Sequence, residues 1–348
     1  MGKSKATLAD VSKLAGVSSA TVSRYINGSG PVSDDVRARI ESAIASLGYE
    51  PRKSPNQRDK ESSIAVLTGD LLNPYFSEVI RGVQDEADNY EMTLALYSLT
   101  DHTQRQTRII QKLSIQNPDG VVVMGTRPFP ALIEWQQKQQ VPMVVLNRAI
   151  ELPLVHTIMV DFENALYRAT QHLINQNHVR IGYLSAYHNT EIAIARRRGI
   201  EQALAEAGLC LPPEMCATVP PGTDADGGYQ AMNVLLNHPP AEWPTAVLTF
   251  NDVIAIGAIH AIHQRGLRVP QDISIIGVDD IFAAAFSFPP LTTIGQPKFR
   301  MGALAVRRLR QMFMGDYDPT NTRTVLESPL IVRESTGLAP VENGKNSS

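Results

Sequence analysis

The sequence predicts an α/β chain in two parts: three short helices forming a small headpiece, then a larger body of two doubly wound parallel sheets. Three observations carry this. Helical periodicity with capping residues recurs three times between Thr7 and Gly48. From Ile64 onward, apolar β-branched runs alternate with amphipathic stretches, the pattern of parallel strands joined by helices. Roughly 280 residues of that alternation exceed what one core of this kind holds.

In the headpiece, Thr7 is placed to cap the first helix, and Asp10 puts a negative charge near its N-terminus. Val11, Leu14 and Ala15 recur at helical spacing as the buried face. Gly16 permits the left-handed backbone of a sharp turn at Ala15-Gly16-Val17. Ser18 caps a second helix that buries Val22, Tyr25 and Ile26 and leaves Ser19, Ala20, Thr21, Ser23 and Arg24 near its exposed start. Ser33 caps a third, with Val36, Ile40, Ala43, Ile44 and Leu47 on one face and Gly48 as its stop. The first two make a helix-turn-helix, which presents the start of its second helix to base edges in a DNA major groove.

Charge is unevenly divided. Residues 1–60 carry ten Lys/Arg against six Asp/Glu, and the remainder 22 against 29, an asymmetry hidden in the net −3. A basic end on an acidic body suits phosphate contact at that end only. Cys210 and Cys216 are too few for a disulfide scaffold and read as reduced thiols. No apolar run reaches membrane-spanning length and no signal-peptide core follows MGKSK, so a cytoplasmic protein without membrane contact is expected.

The polar, charged segment EPRKSPNQRDKESS between Tyr49 and Ile64 marks a domain boundary. Beyond it, strands are expected at 63–68, 92–98, 120–125, 142–147, 156–160, 180–185, 245–250, 273–278 and 291–295, with helices at 75–90, 103–116, 163–177, 192–207, 252–265 and 299–314 among those between them. Ligands bind such sheets at the carboxyl ends of the strands. Asp70, Asn73, Tyr75 and Phe76 follow the first strand, and Asn147 and Arg148 the fourth. Asn251 and Asp252 follow TAVLTF, while Asp279 and Asp280 follow ISIIGV. Each alone reads equally well as a helix cap; together they place polar groups along one edge of two sheets, as a polar-ligand cleft requires.

The segment TLADVSKLAGVSSATVSRYING…VS…VRARIESAIASLGYEP resembles the headpiece of the lactose-repressor/galactose-repressor (LacI/GalR) family of bacterial transcription regulators, and the resemblance runs on to IVREST at 331–336. It implies a periplasmic-binding-protein-like body whose chain crosses between lobes three times, near 161, 291 and 322. The expected domains are a headpiece at 1–50, a linker at 51–63, a core at 64–338 and a polar tail at 339–348. One lobe takes 64–161 and 292–322, the other 162–291 and 323–338. The implied DNA-binding residues are Thr7, Leu8, Ser18, Ser19, Ala20, Thr21, Ser23, Arg24 and Asn27, with Arg52, Lys53 and Arg58 in the linker. Ser19 and Ala20 are small, so base readout shifts toward Arg24, Asn27, backbone amides and DNA shape.

The resemblance also implies an effector site of Asp70, Tyr75, Phe76, Asn147, Arg196, Asn251 and Asp279. Arg196 is singled out of Arg196-Arg197-Arg198 by the family's Arg-x-x-Gly spacing to Gly199, since helical geometry turns consecutive residues by about 100°. Two departures stand out. Pro55 and Arg58 fall where the family's hinge helix and its wedge leucine are expected, so no standard hinge helix is expected. Thr223 replaces a frequent aromatic residue, leaving Tyr75, Phe76 or Tyr187 to supply a flat wall.

The expected function is a sequence-specific regulator of transcription, a repressor of carbohydrate-utilisation genes. It reads pseudo-palindromic operator DNA as a homodimer under control of a small polar effector, a sugar or sugar derivative. A purine-type corepressor is the alternative, and a solute-binding protein a more distant one. No Gly-x-Ser-x-Gly elbow, Walker loop or Gly-x-Gly-x-x-Gly is present, so no catalytic residue or cofactor is expected. His260 and His263 have metal-like spacing but no acidic or thiol partner nearby, and no metal is expected.

Overall fold

The computed structural model describes residues 8–26, 32–47, 62–69, 71–99, 103–125, 129–186, 190–219, 224–318 and 320–341, with backbone only at 8, 9, 20, 23, 24 and 26. Two compact units emerge, Met1–Glu61 and Ser62–Ser348.

The first unit contains α1 (Leu8–Ala15), α2 (Ser19–Ile26) and α3 (Asp34–Leu47). Val11, Ala15, Val22, Ile40 and Ala43 close its core, with Tyr25, Val36, Ile44 and Leu47 packed against it. Gly16 adopts φ +64°, as the tight turn demands. The carbonyls left over at the end of α1 are met by Arg39, whose guanidinium donates to Ala15 O (2.7 Å) and Gly16 O (2.9 Å). Ser18 Oγ accepts from Thr21 N at 3.1 Å and so caps α2. Leu14 departs from expectation. It is 54% exposed, because the α1 face that meets α3 runs through Val11, Ser12 and Ala15 and leaves position 14 on the flank.

In the second unit, one lobe has β1 (Ser63–Thr68), α4 (Pro74–Asp88), β2 (Thr93–Ser98), α5 (Thr103–Gln116), β3 (Gly120–Met124), α6 (Pro130–Gln139), β4 (Met143–Leu146) and β5 (Val155–Val160). The other has α7 (Phe162–Asn175), β6 (Ile181–Ala186), α8 (Glu191–Glu206), β7 (Cys216–Val219), α9 (Ala225–Leu236), β8 (Ala246–Thr249), α10 (Asp252–Gln264), β9 (Ser274–Asp279), α11 (Phe282–Phe286) and β10 (Thr292–Gly295). The chain then returns through α12 (Lys298–Phe313) and β11 (Arg323–Leu326) before β12 (Leu330–Ile331).

The first sheet is ordered β11-β5-β4-β3-β1-β2 and parallel throughout; the second, β12-β10-β9-β8-β6-β7, is parallel except at β12. Strands β3, β4, β8 and β9 are buried along their whole length, as expected of sheets covered on both faces. The order reverses at β1/β3 and again at β6/β8, the points at which sheets of this kind open a crevice that can take a ligand.

The chain first passes from one lobe to the other at Asp161, between β5 and α7. The second and third fall later than 291 and 322. β10 is hydrogen-bonded to β9 in the second sheet, so the chain returns only at Gln296-Pro297, and β11 pairs with β5 in the first sheet, so the last crossing follows Leu326. Crossover positions depend on which strand a segment pairs with, and pairing leaves little trace in a short run. The half-exposed strands β7, β11 and β12 escape periodicity for the same reason.

Candidate ligand cleft and nucleic-acid interface

A cavity of about 200 Å³ lies where the carboxyl ends of the two sheets face each other. From the first lobe it is lined by Asn73, Tyr75, Phe76, Met124, Gly125, Leu146, Asn147 and Arg148. Phe162, Thr190, Ile192, Arg196, Phe250, Asn251 and Asp279 come from the second, and Gln296 from the crossing between them. Six of the seven expected effector residues therefore converge: Tyr75, Phe76, Asn147, Arg196, Asn251 and Asp279. Asp70 lies outside the described residues, as do Tyr187 and Thr223.

Local structure explains each placement. Asn73 Oδ1 caps α4 by accepting from Tyr75 N (2.9 Å), which turns Tyr75 and Phe76 into the crevice. Their rings meet edge to face, 5.0 Å between centroids. Gly125 has φ +68°, and a Cβ there would overlap the Phe76 ring. Asn147 accepts from Val160 N (3.1 Å) and donates to Tyr75 Oη (3.1 Å) and Gln296 Oε1 (3.2 Å). Gln296 in turn donates to Asp279 Oδ1 (2.6 Å), so one chain of amides joins the two lobes through the crossing. Burial pushes the Tyr75 phenol well above its ordinary range, so it stays neutral.

Asn251 spends Oδ1 capping α10 at Ile254 N (2.9 Å). Asp279 ends β9 with φ +118° and Asp280 follows at +55°, a strained turn for residues with side chains. Lys298 holds it: its buried ammonium donates to Asp279 O (2.7 Å) and Asp280 O, and pairs with Glu78 at 3.6 Å. Burial pushes the Asp279 carboxyl up to about 7, against the lowering influence of Arg196, the Gln296 bond and Lys298. Asp252, beneath it, accepts from Thr293 Oγ1 (2.5 Å) and Ile281 N (2.9 Å); burial and the nearby Asp279 raise its carboxyl well above the usual range. Arg196 is 4% exposed and donates through Nη1 to Phe250 O.

In the headpiece, the exposed edge of α2 carries Ser18, Ser19 and Thr21. Ser18 Oγ and Thr21 Oγ1 share a hydrogen bond (2.8 Å), and Ser19 Oγ reaches back to Ser12 Oγ (3.1 Å). Of Leu8, Ala20, Ser23 and Arg24 only the backbone is described, and Thr7, Asn27, Arg52, Lys53 and Arg58 lie outside the described residues.

Residues 7–52 match the model of the bacterial regulatory proteins of the lacI family, and residues 170–336 match a periplasmic binding protein-like domain. The HTH-type transcriptional repressor CytR of Escherichia coli (strain K12) is 35% identical over 341 residues, covering 96% of this chain and 97% of that one. The chain belongs to the lacI family. The ribose operon repressor of Haemophilus influenzae, a second relative of this family member, is 36% identical over 335 residues, with 95% and 98% covered. Among solved structures, a lac repressor dimer bound to operator and an anti-inducer superimposes with a TM-score of 0.71 at 27% identity, covering 96% of this chain and 100% of that one. The fold, the helix-turn-helix and the kinship with transcriptional repressors are thus as the sequence indicated.

Sequence reading missed Phe162, Phe250, Thr190, Ile192, Gln296 and Lys298. Phe162 and Phe250 stand just past β5 and β8, where the strand-end rule points, but a search for polar groups passes over aromatic ones. His260 and His263 are both exposed on α10. The His260 ring lies 5.5 Å from that of Tyr229, and its Nε2 is 3.2 Å from Gln264 Nε2. Among the described residues no cluster of His, Cys, Asp and Glu suits a metal ion.

Proposed function

We propose that this lacI-family chain is a cytoplasmic repressor whose operator affinity is set by a small polar effector, a sugar or sugar derivative, held between the lobes. The observation that carries this is the cleft itself, where groups from both lobes and a crossing converge on one cavity. A ligand that touches Tyr75 and Asn147 on one side and Arg196, Asn251 and Asp279 on the other stabilises one relative lobe orientation over others. The cavity is smaller than the roughly 300–1,000 Å³ usual for drug-sized ligands and fits one small ring rather than two. A purine-type corepressor is the second reading, favoured by the flat Phe76 wall over Gly125. The reading assigns the chain no catalytic step.

The DNA contacts belong to Thr7, Leu8, Ser18, Ser19, Ala20, Thr21, Ser23, Arg24 and Asn27, with Arg52, Lys53 and Arg58 on phosphates or in the minor groove. A headpiece with one recognition helix reads a two-fold operator as a homodimer. On the second lobe Phe282, Phe286 and Phe288 are 76%, 73% and 86% exposed, an apolar face suited to a second copy.

A thermal-shift screen against neutral sugars, sugar acids, sugar phosphates and nucleobases tests the reading. A ligand at a hundred times its Kd adds about 2.7 kcal/mol, and the melting temperature rises on the order of 5–10 °C. A stereospecific shift lost in Arg196→Ala and Asp279→Ala supports the cleft. A shift that survives both substitutions refutes it.

A further inference from the structure

Two aromatic rings pack on the Arg196 guanidinium. Its Cζ lies over the Phe162 ring, 4.2 Å from the centroid, and over the Phe250 ring, 4.0 Å from the centroid. Each ring stabilises the cation through its quadrupole, but neither can accept an in-plane N–H. Nη1 is engaged by Phe250 O, whereas Nε is buried without any hydrogen-bond partner. Among the described residues, no carboxylate forms an ion pair with this guanidinium. A buried cation in that state has one N–H without an acceptor and no ion-pair partner among the described residues, and each omission is costly. Asp279 and Asp252 act on the cation only from beyond ion-pair distance, and Asp279 already accepts from Gln296.

We propose that Phe162 and Phe250 make Arg196 an edge-on clamp, and that the group it takes is the carboxylate of a small hydroxylated acid of the sugar-acid class. The inference rests on the cleft being the effector site and narrows what enters it. Two rings packed this closely leave little room for a ligand ring to stack on the guanidinium, so the ligand is inferred to meet it in its plane, where Nε has no partner. Two parallel N–H bonds in that plane match a carboxylate, which also brings the missing charge. A neutral sugar meets the N–H groups but leaves the charge uncompensated. The hydroxyls of the acid are left for Asn251 and Asp279. Phe162 and Phe250 are positioning residues here, acting on the ligand through Arg196.

Isothermal titration calorimetry of the full chain with pairs differing at one oxidised carbon tests this: D-ribonate against D-ribose, D-gluconate against D-glucose, D-galacturonate against D-galactose, with cytosine and adenine as flat, uncharged probes. At least one acid is expected to bind about tenfold or more tightly than its neutral partner, equivalent to ~1.4 kcal/mol. Phe162→Leu and Phe250→Leu keep an apolar side chain but remove the ring face. Each is expected to cost the acid roughly tenfold and to leave the neutral partner nearly unchanged, with melting curves confirming that the variants fold. Equal or tighter binding of the neutral partners, binding by none of the acids, or acid binding indifferent to both substitutions overturns the proposal. If a neutral sugar or base binds and Arg196→Ala abolishes it, only the carboxylate assignment falls. Binding that survives both Arg196→Ala and Asp279→Ala removes the cleft reading as well.

Discussion

Asp279 shows how the cleft stores free energy in one residue. Its carboxyl titrates near 7 in the folded chain against an ordinary value of 3.8. The folded state therefore binds a proton that the unfolded chain has already released. Stability is unaffected below about pH 4, falls as pH rises toward 7, and above that carries the full cost of ionising this group. Asp279→Asn removes the charge that burial disfavours. We expect the variant to melt higher than the parent at pH 8, to match it more closely near pH 4, and to lose its response to ligand. Parallel denaturation curves at the two pH values check this, and an unchanged pH slope contradicts it. The same residue marks what sequence can reveal. Asp279, Asn251 and Asn147 are legible because strand ends carry sites and these residue types stand out there. Lys298 is not, because its role depends on two carbonyls turned toward it by positive φ angles nineteen and eighteen residues earlier.

At the scale of elements, three helix pairs pack with their backbones in contact. α4 crosses α12 at Gly82 and Gly302, α7 crosses α8 at Gly199, and α9 crosses α10 at Gly228 and Gly257. A Cβ at any of these would fall on a carbonyl of the facing helix. Gly82→Ala or Gly199→Ala forces the helices apart, a cost of roughly 1–3 kcal/mol or more. The melting temperature should drop on the order of 2–10 °C, while ligand affinity in the folded fraction stays near that of the parent. Differential scanning calorimetry with and without ligand separates the two. A glycine inside a helix shows in sequence only as a weak spot; its partner across the interface does not show at all. The nine expected strands were visible because their interiors are long, apolar and β-branched, whereas β7, β11 and β12 owe their existence to a neighbour's free edge.

At the scale of the whole molecule, the proposed homodimer is what an experiment has to test. The rings of Phe282 and Phe286 lie tilted at 36° with centroids 4.7 Å apart, and these two and Phe288 are largely exposed. Phe282→Glu combined with Phe288→Glu should convert a dimer to a monomer in sedimentation velocity, with operator binding weakened at least about tenfold because two half-sites are no longer read together. A variant that still sediments as a dimer places the subunit contact elsewhere. The glycine crossings bear on heredity as much as on mechanics. In a library of every single substitution scored for repression, Gly82, Gly199, Gly228, Gly257 and Gly302 will look as intolerant as Arg196, although none of them lines the cleft. Growth at low temperature will separate the two classes, since alleles that only loosen a helix pair recover in the cold and alleles that remove a ligand contact do not.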